Sequence, residues 1–130
     1  MSANAWDASI NQVRPVRPAG NVAVADVPSG DPYDILCDIT IGENLNEHVD
    51  DFVLRVAVLN ITQSTTIQVK ELRRDLTPAD DTTFTNEERV SLDAPNQTPG
   101  DILQLVASYR VNAGANSDFS SAESVTFTVV

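Results

Sequence analysis

The chain has little from which to build a reaction centre. Its 130 residues hold one histidine, His48, one cysteine, Cys37, and one tryptophan, Trp6. A lone cysteine makes no internal disulfide, so the fold must rest on packing. Cations are scarce: 8 Lys and Arg stand against 19 Asp and Glu, for a net charge of −11. Binding a phosphate backbone takes clustered Lys and Arg, so nucleic acid is not expected as a partner. No apolar run approaches the roughly 20 residues of a membrane-crossing helix, and no membrane span is expected. The first twenty residues are interrupted by Asp7, Arg14, Pro15, Arg17 and Pro18, so no Sec-type export signal is read there.

The search for chemistry is correspondingly short. There is no GxSxG, and an imidazole base would have to be His48, in the polar run Glu47-His48-Val49-Asp50-Asp51, where it reads as solvated. Cys37 falls in phase with Ile35 and Ile39 and reads as a small core hydrophobe. Acidic groups occur at Glu47/Asp50/Asp51, Asp75/Asp80/Asp81 and Asp31/Asp34. Calcium takes about six to eight oxygens, and no DxDxDG loop with a terminal Glu supplies them, so these read as an anionic rim. Asn60-Ile61-Thr62 and Asn96-Gln97-Thr98 match the short glycosylation pattern and are read as chance. No catalytic residue, cofactor or metal is expected, and the protein reads as a non-enzyme.

What is present is alternation. Tyr33, Ile35, Cys37, Ile39 and Ile41 share one face of a strand, with Leu36 the apolar misfit on the other. Phe52, Leu54, Val56 and Val58 mark a central strand, expected to be the most buried. Thr66–Leu72 reads as a strand with Ile67 and Val69 inward, then a crossing loop over 73–86, and Glu88–Asp93 as a shorter strand. Leu103, Leu105, Ala107, Tyr109 and Val111 line another; 112–122 reads as a small polar connection, and Val125, Phe127 and Val129 close the chain. Six or seven short strands separated by turn signals, without helical periodicity, predict an all-β fold, an antiparallel β-sandwich over 33–130.

Residues 1–32 read differently. Pro15, Pro18, Pro28 and Pro32 with Gly20 and Gly30 oppose regular structure, and VRPVRP favours extended backbone, so an N-terminal arm is expected, with 21–27 as a short strand. Arg14 and Arg17 balance Asp7 and Asp26 within 1–30, leaving 6 basic and 17 acidic residues, and the whole −11, to the rest of the chain. Trp6, Ile10, Arg14 and Arg17 are the candidate partner-binding residues of this arm: two apolar groups and two cations that suit an acidic neighbour such as a second copy.

The stretch PGDILQLVASYRVNAGANSDFSSAESVTFTVV, residues 99–130, resembles the last two strands of an immunoglobulin-like or fibronectin type III-like domain. In those families a Pro-Gly-Asp or similar turn leads into a strand with a tyrosine, and a small-residue hairpin returns the final strand. The resemblance implies an immunoglobulin-like sandwich of about seven strands. Tyr109 lies late in its strand, unlike the tyrosine corner, and no Cys…Trp…Cys spacing occurs. The expected function is a structural subunit that self-assembles, or joins other structural proteins, in a phage or virus shell, a tail or an extracellular filament. A virion or similar particle is then its location, and the N-terminal arm and a sheet edge make the contacts. The alternative is a module whose loops bind a glycan or a protein, with or without calcium.

Overall fold

A computed structural model describes residues 6–130, and among them nine strands form two facing sheets. β1 (Ala8–Val16), β3 (Tyr33–Ile41) and β6 (Phe84–Leu92) make the smaller sheet, in the order β1-β3-β6. The larger contains β2 (Asp26–Val27), β4 (Asp51–Asn60), β5 (Thr65–Asp75), β7 (Ile102–Ala113), β8 (Asn116–Glu123) and β9 (Phe127–Val129). Within it β4 lies between β5 and β7, while β8 and β9 share the far side of β7 and β2 flanks β9 in parallel. One helical turn, α1 (Glu43–Asn46), sits in the β3–β4 connection. The all-β sandwich is therefore the observed architecture.

Alternation explains the core. Ile35, Cys37, Ile39 and Ile41 of β3 face Phe52, Leu54, Val56 and Val58 of β4 and Leu103, Leu105, Ala107, Tyr109 and Val111 of β7, all buried. Each large aliphatic side chain so buried contributes about 2 kcal/mol. Phe52 and Tyr109 meet edge-on with centroids 5.6 Å apart, and Tyr33 and Phe127 do so at 6.1 Å. Burial pushes the Cys37 thiol up to about 12, with the charges of Asp38 and Glu88 adding to the effect, so it stays protonated and apolar in character.

Among the described residues the expected N-terminal arm gives way to a strand, while residues 1–5 of that expectation lie outside them. Ala8–Val16 is the first strand of the sandwich, antiparallel to β3 from Ala8↔Ile41 to Val16↔Asp34. An extra residue between Ile10 and Gln12 breaks the alternation, so Ala8 and Ile10 point inward and then Val13 and Pro15 do. Pro15 is tolerated because β1 is an edge strand. Of the short strand expected over 21–27, only Asp26–Val27 pairs as a strand.

Other expectations fail as well. A register shift at Val58/Leu59 leaves Ile67 as the extra residue of β5: Ile67 packs toward the core while Val69 turns outward. β5 also continues to Asp75, and β6 begins at Phe84, which shortens the crossing loop. The polar 112–122 stretch is mostly strand, finishing β7 and forming β8, and Val125 is outward, 78% exposed, where the last strand breaks between β8 and β9. Finally, β3 rather than β4 is the most thoroughly buried strand. Its outer face is roofed by residues 17–24: Ala19 N donates to Asp34 Oδ2, Arg89 Nη2 to Gly20 O, and Arg14 Nε to Asn21 O. Leu36, opposite both Arg14 and Arg89, lies beneath this roof and is 1% exposed.

Candidate interaction edge

The four residues read as an N-terminal docking set are dispersed by the fold. Ile10 belongs to the chain's own core. Arg14 is held on the outer face of the small sheet, Nη1 to Asp38 Oδ2 at 3.2 Å and Nη2 to Glu87 Oε2 at 2.8 Å. Trp6 stays 54% exposed at the entry to β1, and Arg17 is exposed beside a cavity of about 160 Å³ walled by Val16, Val24, Val27 and Tyr33. That volume is below the roughly 300 Å³ at which small-molecule sites begin. The set is therefore no continuous arm: Ile10 and Arg14 are spent inside the molecule.

The acidic loops converge on one end without making a metal cluster. Asp50 Oδ2 accepts from Gly114 N and Asp51 Oδ1 from Asn112 Nδ2, and Asp51 lies directly opposite Asp75. Asp34 belongs to the other end, bound to Arg89. Among the described residues no three His, Cys, Asp or Glu side chains come together as ligands. His48 is exposed just after α1. The two glycosylation patterns differ: Asn60 is buried, its Nδ2 donating to Gln97 Oε1 and Asp101 Oδ2, whereas Asn96 is exposed.

Sheet edges distinguish themselves by how they are closed. The free side of β1 is capped by side chains of β8, Asp118 Oδ2 accepting from Ala8 N at 2.7 Å and Ser120 Oγ from Ile10 N at 3.1 Å. β9 is covered by β2, and Val130 O accepts from Ser29 N. β6 turns a carboxylate inward: Glu88 is 3% exposed and takes hydrogen bonds from Arg74 Nη2 at 2.9 Å and Asn86 Nδ2 at 2.6 Å. An inward charge is a recognised bar to strand addition. The Arg74 contact, with Gln68 Nε2 to Asp93 Oδ2, also ties β5 across to β6.

β5 also turns charges inward, Lys70 and Arg74, but it lacks the backbone closure of β1 and β9. It is 11 residues long, pairs only with β4, and among the described residues nothing bonds the backbone groups of its outer side. The twist of its charges is regular: Glu71 and Arg73 lie on the outer face, opposite Arg55 and Val53, while Lys70, Leu72 and Arg74 lie toward the core side, opposite Val56, Leu54 and Phe52. Val69 adds an apolar group that is 44% exposed. Sequence reading placed a strand here but not its length, its phase or its position at the rim. The expected crossing loop over 73–86 takes in the Arg-rich end of β5, and edge position carries no local signal.

No protein-family model and no curated protein matches the chain. Among solved structures it is similar to a glycosyl hydrolase family 2 member from Bacteroides cellulosilyticus DSM 14838, at TM-score 0.53 and 11% identity, over 94% of this chain and 15% of that one. A second structure of a family 2 member from Bacteroides cellulosilyticus gives the same TM-score and identity over 94% and 14%. A Bacteroides fragilis chain named for beta-galactosidase is 15% identical over 89% of this chain and 17% of its own, but its TM-score of 0.47 carries no weight. The chain thus spans about 15% of the length of the hydrolase it resembles. At such identity the likeness concerns the fold.

Proposed function

We propose that the chain is a non-enzymatic, immunoglobulin-like sandwich module that joins another polypeptide by strand addition at β5. The observation that carries this reading is the contrast among edges: the free backbone of β1 is bonded by side chains of β8 and β9 is covered by β2, while β5, at 11 residues longer than the 9-residue β6, is left among the described residues with an unbonded outer side. A row of unpaired N–H and C=O groups is a template for an added strand, whose backbone bonds supply affinity and whose side chains supply selectivity. The finer fold assignment is supported by the chain path. It forms β1 and β3 in one sheet, crosses to the β4–β5 hairpin, returns to β6 and crosses again to the β7–β8 hairpin, as in sandwiches of this class.

In this reading the module is the structural subunit expected from sequence, with a sheet-edge contact in place of the N-terminal one. The likeness to part of a much longer hydrolase supports a module that works beside other polypeptide. The test uses a fluorescein-labelled peptide of residues 65–75 as the added strand. Fluorescence anisotropy should show saturable binding to the full chain, with a scrambled peptide of the same composition binding at least about tenfold more weakly. Equal binding of both peptides, or binding of neither by a chain that is monomeric at the concentration used, sinks the reading.

A further inference from the structure

This inference rests on the strand-addition reading and names its partner: we infer that β5 takes β5 of a second copy, antiparallel about a two-fold axis at Leu72. In such pairing directly opposed residues share one face of the sheet, so the axis must fall on a residue. The charges of β5 select which. An axis at Lys70, Glu71, Arg73 or Asp75 sets a like charge opposite itself, and one at Arg74 pairs only residues 73–75 of the strand with their copies. An axis at Ile67, Gln68 or Val69 forms no ion pair and runs through the bulge at Ile67. At Leu72 an apolar side chain meets its own copy, and Glu71 faces Arg73 of the second copy twice, on the outer face where both side chains project. The flanking pair in that register is Lys70 with Arg74 of the second copy, and each Arg74 is already neutralised by its own Glu88 at 2.9 Å.

The whole-molecule charge leads to the same place. A chain of net −11 repels its copies over most of its surface, yet Lys70, Arg73 and Arg74, three of its 8 cations, lie within β5 against Glu71 and Asp75 alone. With Arg74 paired to Glu88, Lys70 and Arg73 balance Glu71 and Asp75, so this edge carries none of the net negative charge and a second copy is least opposed there. The contact is isologous and closes as a dimer, and it removes the last long open edge of the larger sheet.

The experiment is a charge swap followed by sedimentation velocity over a dilution series of the full chain. The wild type should be a dimer that dissociates on dilution. Glu71→Arg and Arg73→Glu should each weaken dimerisation about tenfold or more, because each sets like charges opposite one another. An equimolar mixture of these two variants should form a heterodimer, and the double swap Glu71→Arg/Arg73→Glu should restore the homodimer; circular dichroism checks that each remains folded. A monomeric wild type, unaltered dimers in both single variants, or a mixture that stays monomeric would overturn the inference. The 65–75 peptide separates the two levels. Selective peptide binding by a monomeric chain removes the dimer and keeps strand addition, whereas a monomer that shows no selective peptide binding removes both.

Discussion

Tyr109 is the residue at which the core is least satisfied. It is fully buried on β7 and its hydroxyl has no hydrogen-bond partner among the described residues, while burial, with the nearby Glu88 charge, pushes its pKa up. An unpaired buried hydroxyl carries a desolvation cost, so Tyr109→Phe should leave the fold intact and raise stability by about 1 kcal/mol, read from urea unfolding. Asp34 is the opposite case. Burial opposes its ionisation, but hydrogen bonds from the Ala19 amide, Arg89 and Ser91 outweigh it and hold the carboxyl below its usual value. A depressed carboxylate stabilises the fold above its unfolded pKa, and that contribution is lost as pH falls through the folded value. Acid unfolding followed by fluorescence should therefore show Asp34→Asn already destabilised by about 1–2 kcal/mol at neutral pH, with a shallower loss on acidification than the wild type.

At the scale of elements, bulges explain both the architecture and the misreadings. One extra residue in β1, near Asn11, and another in β5, Ile67, each reverse which side chains point inward, and period-2 reading assumes that no such residue exists. Where alternation is unbroken, as in β3 and β7, the inward sets were legible residue by residue. The bond between β5 and β6 was not legible, because Arg74 and Glu88 look like ordinary surface charges until two sheets bring them together. Arg74→Ala leaves Glu88 buried with Asn86 alone and should cost about 1–3 kcal/mol in urea unfolding. Changing Glu88 to Gln in that background should recover part of the loss.

For the whole molecule, the sign of the charge matters less than where it is placed. Strand ends and loops at the α1 end gather carboxylates, among them the directly opposed Asp51 and Asp75. Like charges in that relation are unfavourable, so Asp75→Asn should raise the thermal midpoint at low salt, an advantage that shrinks as salt is added. Composition and alternation by themselves determined an all-β sandwich and a core led by β3, β4 and β7, because burial of one strand face writes a period into the sequence. Tertiary structure alone decided that Ala8–Val16 is a strand of that sandwich, that Leu36 is roofed by residues 17–24, and which edge is left open. Bulges, cross-sheet ion pairs and edge positions arise from contacts between residues far apart in the chain, and such contacts leave no local pattern to read.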